Sequence, residues 1–146
     1  MNIEEWERGV PELVTSTSVD AFLPSSSRWE SLPPLPHGVS NPALATFHGQ
    51  LYIFGGLKKR RIVRHCYRYA PRRSSWEELP ALPAELCYPA VVVDNRRDCV
   101  WLVGGMNARY ETKTECYQYL PRLKEWRVGP SLNRHRKSAF AFACNG

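Results

Sequence analysis

Leu51-Tyr52-Ile53-Phe54-Gly55-Gly56 recurs 49 residues later as Val100-Trp101-Leu102-Val103-Gly104-Gly105. A short run of aromatic and β-branched residues closed by paired glycines reads as a buried strand that ends where a side chain would obstruct a turn or a close backbone approach. A second β-rich run precedes each copy. Residues 43–48 and 51–54 flank His48-Gly49-Gln50, where glycine can take positive φ, and the set reads as a hairpin. Residues 90–93 and 99–103 around Asp94-Asn95-Arg96-Arg97-Asp98 form its counterpart with a longer loop.

A further motif occurs three times, as Val19-Asp20-Ala21-Phe22-Leu23-Pro24, Cys66-Tyr67-Arg68-Tyr69-Ala70-Pro71 and Cys116-Tyr117-Gln118-Tyr119-Leu120-Pro121. Five residues after each proline stands a tryptophan (Trp29, Trp76, Trp126), and six residues after that a leucine (Leu35, Leu82, Leu132). Residues 64–69 and 75–79 supply a third and a fourth strand, with Pro71 in the turn between them. The tryptophans are spaced by 47 and 50 residues, so the chain is a repeat.

The ordered set of double glycine, tyrosine and tryptophan at a period of roughly 50 residues resembles the kelch repeat. The likeness runs from about residue 19 to the C-terminus. In that family each repeat is one four-stranded antiparallel blade, and blades stack radially around a channel. The resemblance implies an all-β fold, an incomplete kelch β-propeller. It has two whole blades (37–83 and 84–133), partial blades at 18–36 and 134–146, and about 11 strands in an open arc. Residues 138–142 are expected to form the first strand of the last partial blade. Residues 1–17 read as an acidic leader. Because propellers close with about four to eight blades, the expectation is a short isoform or fragment of a longer kelch protein. Gly55, Gly56, Gly104, Gly105, Tyr69, Tyr119, Trp29, Trp76 and Trp126 are expected to be structural, the aromatics packing blade against blade. Trp76→Ala should cost about 3–5 kcal/mol if that side chain is buried.

Composition bounds the function. The longest apolar runs fall far short of the roughly 20 residues a membrane helix needs, and Glu4, Glu5 and Glu7 stand where a secretory signal would be basic and apolar. A cytoplasmic protein is expected, with the nucleus open. All five cysteines (Cys66, Cys87, Cys99, Cys116, Cys144) are expected as unpaired thiols, since the count is odd and no CxxC occurs. His37, His48, His65 and His135 lack metal-ligand spacing, so neither metal nor cofactor is expected.

The net charge of +6 is uneven, with 2 basic and 6 acidic side chains in residues 1–36 and 8 basic and 2 acidic in residues 37–83. Lys58-Lys59-Arg60-Arg61 concentrates four cations after the first double glycine, and the segment 57–62 is expected to be an exposed basic loop. Such a run is also of the nuclear-localisation type, but no aromatic platform interleaves with it, so nucleic acid is not the expected partner.

By resemblance, the chain is a non-catalytic protein-interaction module, similar to the substrate-recognition propeller of kelch-like adaptors for ubiquitin ligases. Without the BTB and BACK regions of those adaptors no cullin contact is expected; actin or cytoskeletal binding is the alternative. A kelch-bladed enzyme of the galactose-oxidase kind is the remote one, since Cys66-Tyr67 and Cys116-Tyr117 have no paired histidines. The partner-binding positions implied are Asn41, Lys58, Lys59, Arg60, Arg61 and Tyr88, with Asn107, Arg109, Tyr110, Arg134 and Arg136. Unpaired sheet edges also invite self-association.

Overall fold

Alternation and turn chemistry build the sheets. The computed structural model describes residues 16–143; the first fifteen residues of the leader at 1–17 and Cys144 lie outside the described residues. Strands β1 (Val19–Leu23) and β2 (Arg28–Leu32) pair antiparallel as a separate two-stranded sheet. The first whole blade holds β3 (Ala43–Phe47) and β4 (Gln50–Phe54). After a small pair, β5 (Leu57–Lys58) and β6 (Arg61–Ile62), it continues with β7 (Cys66–Ala70) and β8 (Ser75–Leu79), in the order β3-β4-β7-β8. The second blade repeats the order with β9 (Ala90–Asp94), β10 (Cys99–Val103), β11 (Cys116–Leu120) and β12 (Glu125–Val128). The described residues are thus all-β, twelve strands in four antiparallel sheets that do not close into a barrel. No helix among them is long and apolar enough to cross a membrane.

Turn residues explain the pairing. Phe47 pairs with Gln50, so the first hairpin turns on His48 and Gly49 alone, both at positive φ as a two-residue turn of the primed type requires. In the second blade Asp94 pairs with Cys99, and the Asp94 carboxylate accepts the backbone N–H groups of Arg96 and Arg97 at 3.1 Å each, which stabilises the longer loop.

Two expectations are corrected. Residues 57–62 are not an open loop but the β5–β6 hairpin. Its Ile62 is buried against Cys87 and Met106, and apolar burial outweighs repulsion among the neighbouring cations. Residues 138–142 form no strand, because no second strand among the described residues pairs with them; the segment is tied down by Arg136 and Ser138 instead. The count of twelve therefore differs from eleven by the two short strands gained and the one lost.

The core lies between the blades. Phe54 and Tyr52 of the first blade meet Tyr119 of the second at ring-centroid distances of 5.7 and 6.2 Å, and Trp126 lies 5.3 Å from Phe54. The tryptophan indoles reach back one module, Trp76 Nε1 donating to the Pro33 carbonyl at 2.7 Å and Trp126 Nε1 to that of Pro80 at 2.9 Å. The double glycines reach forward, Gly56 N–H donating to the Leu86 carbonyl and Gly105 N–H to that of Arg136. Trp76 is half-buried, so its truncation falls below the range for a full core residue. Trp29, by contrast, is 71% exposed and among the described residues meets one aromatic ring, that of Phe22.

Cys66, Cys87, Cys99 and Cys116 are unpaired and buried. Burial pushes the Cys66 thiol up to about 12 and that of Cys87 to about 11, so neither is a thiolate at neutral pH. Iodoacetamide at pH 8 should therefore leave these four unmodified in the native protein and alkylate them promptly in urea. Mass spectrometry showing two or more native adducts within minutes would contradict this packing.

Candidate interaction surface

Antiparallel pairing sends particular loops to one end of each blade. Ala43 pairs with Phe54, Phe54 with Cys66, and Cys66 with Leu79, so the segments 55–65 and 80–89 leave the first blade at the same end as the approach to β3. The second blade repeats this with 104–115 and 129–138. The turns at His48-Gly49 and Pro71–Arg73 lie at the other end.

The loops at the first end are bound to one another. Leu57 and Ser40 exchange backbone hydrogen bonds at 2.7 and 2.8 Å, Cys87 and Met106 do so at 2.8 and 3.0 Å, and Ser138 N–H donates to the Tyr88 carbonyl. The Asn41 side-chain amide donates to the Tyr88 hydroxyl at 2.8 Å, and the Tyr110 hydroxyl donates to the Arg60 carbonyl at 3.2 Å. A cleft of about 800 Å³ opens between the β5–β6 hairpin and the next two loops, lined by Arg60, Arg61, Arg64, Glu85, Ala108 and Tyr110. Lys59 and Arg60 form the hairpin tip, both at positive φ, where Asn-Gly is the unstrained choice.

Charge separates the two ends. Lys58, Lys59, Arg60, Arg61, Arg64, Arg109, Arg134 and Arg136 make no ion pair among the described residues. At the other end Asp94 holds Arg97 at 2.9 Å and Asp98 holds Arg122 at 2.5 Å; Glu77 holds Lys124 at 2.6 Å and also pairs with Arg68, which leaves Arg28, Arg72, Arg73 and Arg96 without an ion pair among the described residues. The lysine and arginine holding Glu77 keep its carboxyl below the usual carboxylate range.

The residues read from sequence thus fall on one end but in separate roles. Asn41 meets Tyr88, and Arg60 meets Tyr110. The Asn107 side chain closes its own loop, accepting from the N–H groups of Arg109 and Glu111, while the Arg136 backbone carbonyl serves Gly105. Arg64 and Glu85 were not legible as site residues. Arg64 read as the start of a strand, but β7 begins at Cys66 and leaves it on the cleft wall; Glu85 sits in a proline-flanked connection with no motif of its own.

Comparison with curated proteins gives no match. Residues 38–83, which hold β3 to β8 together with the Gly55-Gly56 pair, Tyr69 and Trp76, match the family model described as Kelch motif, and residues 84–133 fold in the same strand order.

Proposed function

We propose that the chain is a non-catalytic protein-interaction module whose loop end receives an acidic segment of a partner protein. The observation that carries this reading is the concentration of unpaired cations around one cleft, against partly neutralised cations at the opposite end. The strained tip supports it, since Lys59 and Arg60 stand at positive φ, at a cost in stability, where Asn-Gly would be unstrained. Within the kelch-like class this corresponds to a substrate-recognition propeller of the ubiquitin-ligase adaptor type. Actin binding is the second kelch activity, and co-sedimentation with filaments tests it.

The hairpin tip permits a test in which binding and stability move in opposite directions. Lys59→Asn with Arg60→Gly removes two charges while supplying the residues the turn prefers, so the melting midpoint should rise, by about 0.5–1 kcal/mol of stability. Binding of a fluorescein-labelled poly-glutamate peptide at low salt should weaken several-fold, with a shallower salt dependence. Unchanged peptide binding, or equal binding to poly-lysine, would rule out the acidic-partner reading.

A further inference from the structure

A second group of cations stands at the opposite end of the first whole blade, around a cleft of its own. Because β4 pairs with β7, the His48-Gly49 turn that leads into β4 and the Pro71–Arg73 turn that follows β7 stand side by side. The cleft at these turns holds about 570 Å³, and its charged and titratable lining is His48, Arg68, Arg72, Arg73 and Glu77. Three arginines stand there against one carboxylate, a surplus of two positive charges before His48 is counted.

The nearby acids are already occupied. Glu77 gives one oxygen to Lys124 of the second blade at 2.6 Å and the other to Arg68, and these two cations hold its carboxyl below the usual carboxylate range. Asp98 gives one oxygen to His48 at 2.6 Å and the other to Arg122 at 2.5 Å. Arg72 and Arg73 are exposed and make no ion pair among the described residues. Arg68 reaches Glu77 through Nη2, while its Nε is buried with no hydrogen-bond partner among the described residues. A guanidinium fork used on one prong, beside two unpaired guanidinium groups, is an arrangement short of acceptors.

We infer that this cleft is a binding site for a phosphate monoester. Charge selects the group: a phosphate monoester carries about −1.5 to −2 at neutral pH on three acceptor oxygens, which matches the surplus, whereas a carboxylate brings a single charge. Arginine forks also fit phosphate bidentately. Arg68 is the fixed part of the site, since Lys124 holds its partner Glu77 from the second blade, and Arg72 and Arg73 on the turn are the adaptable part. The volume lies within the roughly 300–1,000 Å³ of small-ligand sites, so the body of the ester has room beside its phosphate. A free phosphorylated small molecule and a phosphorylated side chain present the same group. The site is distinct from the cleft for an acidic segment, which lies at the other end of the strands.

Calorimetric titration of the whole chain at physiological salt tests the proposal with three probes: glycerol 2-phosphate, an alanine-based peptide with a central phosphoserine, and the same peptide with glutamate in its place. The phosphoserine peptide should bind at least about tenfold more tightly than the glutamate peptide. Similar affinity for glycerol 2-phosphate would identify a free phosphate ester as the source, and a clear preference for the peptide a phosphorylated side chain. Arg72→Gln with Arg73→Gln should weaken phosphate binding at least about tenfold. Arg68→Lys keeps the charge beside Glu77 but loses the fork, and should weaken it several-fold at an unchanged ligand-free melting midpoint. If Arg68→Lys does not fold, the exposed double variant decides alone. Lys59→Asn with Arg60→Gly, at the other end, should bind the phosphoserine peptide as the unaltered chain does. Equal affinity for the glutamate peptide, no binding of either phosphate probe, or phosphate binding undiminished by Arg72→Gln with Arg73→Gln would overturn the site.

Discussion

Replacing Gly55 by alanine is expected to destabilise the protein by about 3 kcal/mol or more, and to lower its melting midpoint by roughly 10 °C. Two effects add. Gly55 holds φ +61°, where an alanine pays about 1–2 kcal/mol. A Cβ there would also overlap the Leu86 carbonyl and come within 2.9 Å of the Leu82 side chain. The carbonyl cannot withdraw cheaply, because it accepts the Gly56 N–H at 2.9 Å and so joins the two blades. Gly49→Ala is the control: φ is +68° but nothing lies within 4 Å, so only the backbone term remains, about 1–2 kcal/mol. Urea unfolding of both variants separates strain from collision; equal losses would show that the Leu86 carbonyl imposes no steric limit at Gly55.

These glycines also show why the fold was legible in the sequence. A double glycine after an apolar run marks a place where backbones meet, and the structure supplies the meeting partner in the next repeat, Leu86 for Gly56 and Arg136 for Gly105. The tryptophans were legible for the same reason, since a contact made once per module preserves one residue type at one spacing. Their burial was not legible, because it depends on the neighbour: Trp126 packs on a whole blade and Trp76 on two strands, while Trp29 is exposed. The segment 138–142 has the composition of a strand yet forms none, since a strand needs a partner that local composition does not report.

The loop end was read less fully. Charge located Lys58 to Arg61, but charge alone does not reveal that Leu57 and Ile62 pair, that Ile62 is a core residue, or that the two central cations take positive φ. Turn chemistry argues against a tight hairpin at Lys59-Arg60, and the tertiary contacts of Ile62 with Cys87 and Met106 override it. Arg64 and Glu85 entered the cleft through the path of the chain rather than through any motif.

Phe54→Ala should cost about 3–5 kcal/mol, comparable to or larger than the glycine effect. Phe54 is 1% exposed and stands at the end of β4 where the two blades meet, 6.0 Å from Tyr52, 5.7 Å from Tyr119 and 5.3 Å from Trp126. Its removal leaves a cavity walled on one side by the first blade and on the other by aromatics held in register by the Trp126–Pro80 hydrogen bond, so neither wall is free to collapse inward. The loss therefore falls on the junction rather than on one sheet. If the blades unfold as one unit, urea denaturation monitored by tryptophan emission and by far-ultraviolet circular dichroism should shift to a lower midpoint with the two probes still coincident. Trp29→Ala, at an exposed position of the preceding two-stranded sheet, should stay within about 0.5 kcal/mol of the unaltered protein. A Phe54→Ala loss below about 1 kcal/mol, with Trp29→Ala losing as much, would mean that the aromatic layer between the blades is not the core that holds them together.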